Sequence, residues 1–155
     1  MNAPVLTHQQ QTTWNRYQRM RVRLAEQLNR ELAHETGLSE ADYEILVALT
    51  ENPDQSMRAI ALRCGLEWEK SRLSHQLRRM EQRGLVARET CIEDNRSTII
   101  RVTAEGRALA CQAKQVHEAA VRRHVGDILT PAQLAALDDI ATAILATLDS
   151  PNGHA

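Results

Sequence analysis

Between positions 68 and 80 the chain runs Trp68-Glu69-Lys70-Ser71-Arg72-Leu73-Ser74-His75-Gln76-Leu77-Arg78-Arg79-Met80. Leu73, Leu77 and Met80 recur at spacings of four and three, so they share one face of a helix. The rest of that helix then carries Lys70, Ser71, Arg72, Ser74, His75, Gln76, Arg78 and Arg79. Guanidinium forks, hydroxyls, an imidazole and an amide are the groups that read base edges in the major groove or hold phosphates. A merely solvated amphipathic helix has the same composition, so the segment gains meaning from its surroundings. Ser56 and Arg58 precede it, and Arg88 follows it. A polar stretch, Asp94-Asn95-Arg96-Ser97, then joins two short runs rich in β-branched residues, Leu85 to Thr90 and Thr98 to Val102. That pattern predicts a β-hairpin with a charged tip. Helix, short helix, turn, longer helix and ribbon is the order of a winged helix-turn-helix, whose second helix enters the major groove while the wing reaches the minor groove or backbone.

Other reactive side chains are fewer. Trp14, Tyr17 and Arg21 sit at helical spacings of three and four and can line one wall of a cleft for a small aromatic acid, with His34 and Tyr43 near in sequence. Packing of the same rings in a helix interface is the competing reading. Three cysteines without a C-x-x-C argue against a disulfide framework and a structural zinc site. Cys91, beyond Arg88 on the wing, is the most exposed thiol by position and the candidate for redox control; Cys64 and Cys111 are expected to be packed. His117 and His124 lie ~10 Å apart along a helix, too far to chelate one ion unaided, so no metal and no cofactor are expected. No nucleophile elbow, phosphate loop or paired carboxylates mark an enzyme.

The elements that must position these groups follow from periodicity and breakers. Met20, Leu24, Leu28 and Leu32 recur every four residues on a long helix from about 8 to 35. Ser39 with Asp42 reads as an N-cap with an acidic third position, opening a helix through Ile45, Leu46 and Leu49 that Pro53 stops. A short helix is predicted from about Ser56 to Cys64, and a longer one from about Trp68 to Arg83 that Gly84 ends. Thr103 caps a helix from about 104 to 126. Thr130, Pro131 and Gln133 mark the last start, with Pro at the first helical position and Gln completing a capping box. Leu134, Leu137, Ala141, Ile144 and Leu148 then form a packing stripe for a partner helix. The turn between the short and long helices is open: counting back from Leu73 without gaps puts Glu67 where helix-turn-helix motifs usually place Gly, whereas Gly65 as the turn glycine makes the turn two residues longer.

Composition bounds the rest. The chain has 155 residues, 43% apolar and 3% aromatic, with no Phe, so small aliphatics at helical spacing must build the core of a mainly α protein. The longest apolar run, Ile45 to Leu49, is far short of the ~20 residues a membrane span needs. With no signal peptide in view either, a cytoplasmic protein with no membrane partner is expected. A net charge of −1 argues at face value against nucleic acid. It is an average, however. Residues 56 to 107 hold 11 Lys or Arg against 7 Asp or Glu, and the remainder holds 8 against 13. A basic lobe is joined to an acidic scaffold, a polarity that would orient the chain on DNA.

The stretch Arg83-Gly84-Leu85-Val86, then Asp94-Asn95-Arg96-Ser97, then Arg101-Val102-Thr103-Ala104-Glu105-Gly106 resembles the signature of MarR-type transcriptional regulators. In that pattern an R-G-L-V step begins the wing, a D-x-R turn forms its tip, and an L-T-x-x-G opens the next helix; Val102 replaces the usual Leu. The segment from Trp68 to Leu77 is similar to recognition helices in one branch of the family. The resemblance spans about residues 10 to 148. It implies a homodimer through interlocked first and last helices, with Leu24, Leu28, Leu134, Leu137, Ile144 and Leu148 in the interface, and a pseudo-palindromic operator on double-stranded DNA. It also implies release by a small anionic or phenolic effector. The corresponding organisation is a dimerisation helix over 1–37, a DNA-binding lobe over 38–103, dimerisation helices over 104–150 and a tail over 151–155. A winged helix that binds another protein through the same face is the rival function.

Overall fold

The computed structural model describes residues 5–90, 92–93 and 97–149. Helix α1 (His8–Thr36) starts at a capping box between Thr7 and Gln10 and ends at Gly37, whose φ of 70° is the left-handed value a helix C-terminus uses. Helix α2 (Glu40–Glu51) opens on the expected box: Ser39 Oγ accepts from the Asp42 N–H at 3.1 Å while Asp42 accepts from the Ser39 N–H at 2.9 Å. Strand β1 (Ser56–Arg58), α3 (Ala59–Leu66), α4 (Lys70–Gln82), β2 (Val86–Thr90) and β3 (Thr98–Val102) follow. Helix α5 (Ala104–Val121) runs into a π-helical turn (Arg122–Gly126), and α6 (Pro131–Leu148) begins at a Thr130–Gln133 capping box with Pro131 in the first turn.

One expectation is corrected and one open alternative is resolved. Residues Ser56 to Arg58 are not the first turn of a helix. They form β1, antiparallel to β3 with Ser56 opposite Arg101 and Arg58 opposite Ile99, so the wing is a three-stranded sheet in the order β1-β3-β2. The cause is long-range: three residues carry no period of their own, and the edge of β3 offers ladder hydrogen bonds that a helical turn here would leave unmade. The turn is likewise resolved in favour of the ungapped count. Gly65 lies inside α3, whereas Glu67 closes it with φ 55° and ψ 36°, the left-handed conformation for which Gly is usual. That kink sends the Trp68 N–H back to the Arg63 carbonyl at 3.1 Å and turns the indole inward, to 8% exposure.

The chain divides into two compact units, Met1–Glu118 and Ala119–Ala155. In the first, α2, α3, α4 and the sheet close over one core built on Leu46, Leu49, Leu62, Leu77, Met80 and Ile100, with Leu32 and Leu38 joining from the end of α1 and the following turn. The start of α5 is locked to the wing. Thr103 Oγ1 donates to the Gly84 carbonyl at 2.6 Å and accepts from the Gly106 N–H at 3.0 Å. A Cβ on Gly106 would lie 2.1 Å from the Leu85 carbonyl oxygen, so only glycine permits the approach. In the second unit α6 buries none of its residues. Among the described residues no single helix is long and apolar enough to cross a membrane.

Candidate nucleic-acid interface

Helix α4 buries Leu73, Leu77 and Met80 and leaves Lys70, Ser71, Arg72, Ser74, His75, Arg78 and Arg79 exposed. Between α3, the start of α4 and the sheet lies an open concavity of about 480 Å³. Its floor is apolar, from Leu73, Leu77 and Ile100, and its walls carry Arg58, Arg63, Lys70 and Arg88 with no carboxylate among the lining residues. Ser74 and Ser97 add hydroxyls. Arg58, Arg63 and Lys70 have no carboxylate partner among the described residues. Arg88 is held instead: it donates to the Ser74 carbonyl at 3.3 Å and pairs with Glu81 at 3.3 Å, which ties β2 to α4. Three cations without a carboxylate partner, with the tethered Arg88 beside them, around a recess whose lining holds no carboxylate make a surface of the charge that a phosphodiester backbone requires.

Of the candidate DNA residues, Arg58, Lys70, Ser74, Arg88 and Ser97 meet at this concavity, and the exposed residues of α4 continue it along the helix. Ser56 lies in β1 opposite Arg101 and does not line it. Asn95 and Arg96, with Cys91, fall outside the described residues. Arg63 was missed by sequence reasoning, and so was Ile60, which is 63% exposed. The available signal was the spacing of Ala59, Ile60 and Arg63, which share the face of α3 away from Leu62.

Gln76 is a correction. Expected on the reading face, it is 5% exposed, and its side-chain N–H donates to Asp42 while its amide oxygen accepts from Arg79. Asp42, itself 2% exposed, also accepts from Arg83 at 2.8 Å, and Arg83 donates onward to the Gly37 carbonyl at 3.1 Å. This network joins the end of α1, the start of α2 and the length of α4. Burial alone would push the Asp42 carboxyl up, but its hydrogen bonds to Arg83 and Ser39 and the Arg83 charge hold it below the ordinary aspartate range.

A second polar assembly stands at the N-terminus of α4. The Arg72 guanidinium carbon lies 3.8 Å from the centroid of the Trp68 ring. Burial and the Glu40 charge raise the Glu44 carboxyl above its usual range, opposed by Arg72 and by the indole N–H of Trp68, which donates toward it.

The effector candidates are not gathered by one chain. Trp14 and Tyr17 pack ring to ring at 5.5 Å and are 49% and 44% exposed, and Arg21 donates to Gln18 at 2.9 Å. His34 lies 20 residues beyond Trp14, ~30 Å along the same helix, and pairs with Glu35 at 3.0 Å. Tyr43 faces His117 at 5.0 Å, and burial followed by the Glu118 and Glu51 charges pushes its phenol up. A cleft lined by all five residues of one chain is therefore excluded by helix length. Cys64 and Cys111 are exposed rather than packed, because each falls on the outer face of its helix. Leu24 and Leu28 are half-buried, whereas Leu134, Leu137, Ile144 and Leu148 are 50%, 41%, 56% and 72% exposed.

A sequence model of the MarR family matches residues 36–97. The chain is similar to AbsC, a MarR family transcriptional regulator from Streptomyces coelicolor, at 36% identity over 94% of this chain and 98% of that one, with a TM-score of 0.85. It is similar at 32% identity, over 97% of this chain and 94% of that one, to a second MarR family regulator of the same organism solved in complex with DNA, with a TM-score of 0.88. A mutant MarR from Escherichia coli complexed with operator DNA shares the fold at 19% identity, over 84% of this chain and 91% of that one, with a TM-score of 0.73. No curated protein matches the chain significantly.

Proposed function

This chain belongs to the MarR family of winged-helix, DNA-binding transcriptional regulators, and from that premise we propose that it acts in the cytoplasm as a homodimeric repressor on a pseudo-palindromic operator. Residues 38–103 form the lobe that meets DNA, and residues 1–37 and 104–150 join two copies. The observation that carries the reading is the acid-free recess of Arg58, Arg63, Lys70 and Arg88 beside the exposed face of α4. Its support is electrostatic and geometric: the cations seat a phosphate backbone while α4 presents Arg72, Ser74 and His75 toward base edges. Arg96, with Asn95 and Ser97, is assigned to the wing contact with the minor groove or backbone.

Self-association is supported by α6, which carries a stripe of exposed Leu and Ile that water does not favour and a second copy would cover. Two-fold symmetry then sets half-site centres ~34 Å apart. Release by a small aromatic acid is supported by the exposed Trp14–Tyr17 pair with Arg21 one turn on, a wall that a second chain would complete.

The test is recovery of bound fragments from genomic DNA, followed by titration at several salt concentrations. A palindromic consensus and an affinity that falls steeply with salt are expected, and removing Arg88 or Arg96 should lower the salt slope by about 1. A flat salt response with no preferred sequence would instead favour a protein-binding winged helix. Salicylate-like acids added to the complex should dissociate it, and no release by any of them would remove the effector assignment.

A further inference from the structure

Arginine at the third position of a recognition helix is usually a flexible side chain that must be ordered on binding. Here it is not left to itself. Arg72 lies over the Trp68 indole at 3.8 Å, and Trp68 is fixed in place: it is 8% exposed and its backbone N–H is bound to the Arg63 carbonyl. The left-handed turn at Glu67 is what drops the indole into this place, immediately before α4 begins. A guanidinium is planar and weakly hydrated, so it stacks on an aromatic face while keeping its N–H edge free for two parallel hydrogen bonds.

We propose that Trp68 is a positioning residue for sequence discrimination: a buried platform that holds the Arg72 guanidinium in place at the N-terminus of α4, so that Arg72 meets a guanine edge with its fork already oriented. The inference rests on the reading of α4 as the helix that enters the major groove. Trp68 touches no base. It acts by restricting the rotamers of Arg72, so its removal costs discrimination at the base pair Arg72 reads rather than affinity across all sequences.

The experiment uses the full-length protein and the operator recovered by selection, with every variant built on Trp14→Phe so that Trp68 is the sole tryptophan. Arg72→Ala is expected to lower the preference for the cognate base pair at one position per half-site by about tenfold or more. Trp68→Leu, which fills the core without an aromatic face, should lower it at the same position by about two- to fivefold, Trp68→Phe should restore it, and Trp68→Leu combined with Arg72→Ala should discriminate no worse than Arg72→Ala alone. Without DNA, Arg72→Ala should change the Trp68 emission intensity, a readout that stands even where Trp68→Leu fails to fold. Unchanged emission, or a Trp68→Leu protein that folds and keeps full discrimination while Arg72→Ala loses it, overturns the platform and leaves the role of α4 intact. Unchanged preference in Arg72→Ala overturns both.

Discussion

Replacing Asp42 by Ala tests the buried network beneath α4. The carboxylate accepts from the Ser39 N–H, the Gln76 amide and the Arg83 guanidinium, and its side chain is 3% exposed. Loss of the capping-box acceptor costs about 0.5–2 kcal/mol. Breaking a fully buried ion pair costs about 3–5 kcal/mol, but Arg83 is 42% exposed and can turn to water, so only a fraction of that applies. Gln76, at 5% exposure, cannot turn out without disturbing α4, and its unpaired N–H costs about 1–3 kcal/mol. These contributions share atoms and do not add; together they give about 2–4 kcal/mol. For a chain of this length that lowers Tm by about 5–15 °C. Asp42→Asn keeps the shape and one acceptor and should lose about half as much. The assay is thermal and urea unfolding followed by circular dichroism at one fixed protein concentration, since self-association shifts apparent stability. The pH dependence has a definite sign. The folded-state pKa of Asp42 lies below its unfolded value, so its stabilisation is complete above about pH 4 and is lost as pH falls through the lowered folded value. The gap between wild type and Asp42→Asn should accordingly close in acid. An Asp42→Ala protein within about 0.5 kcal/mol of wild type at pH 7, or a gap that persists unchanged at pH 2, would refute the reasoning.

The remaining predictions follow from single contacts. Gln76→Ala should lower stability by about 1–2 kcal/mol while leaving the base preference of the operator unchanged, read by unfolding and by competition between operator variants. Gly106→Ala places a methyl group 2.1 Å from the Leu85 carbonyl oxygen and should cost more than about 2 kcal/mol or prevent folding, checked by soluble yield and Tm. Glu67→Gly relieves a left-handed residue at the end of α3; against the greater freedom of the unfolded chain it should leave a gain of up to about 1 kcal/mol, visible as a small rise in Tm. Ile144→Asp puts a charge in the exposed stripe of α6 and should weaken self-association at least tenfold by sedimentation, without loss of helix content.

Much of this protein is local and could be read in one dimension. Repeats of four and three residues mark α1, α4 and α6 because a helix presents every third or fourth residue on one face. Capping boxes at Ser39 and Thr130 fall where expected because each needs only residues three positions apart. The β-branched runs on either side of the polar residues 94–97 mark the wing, and the uneven charge marks the basic lobe, since both are properties of neighbours in sequence. Tertiary structure decided whatever depends on a partner far along the chain. Ser56 to Arg58 became a strand because β3, more than 40 residues later, offered an edge. Gln76, polar on a polar-looking helix, was drawn into the interior because Asp42, 34 residues earlier, is buried there and must have its oxygens satisfied. Glu67 took the left-handed turn without being glycine because the burial of Trp68 and Leu73 on either side of the α4 start compensates a local strain of about 1–2 kcal/mol. Periodicity states which face a residue occupies; only the packed fold states what waits on that face to meet it.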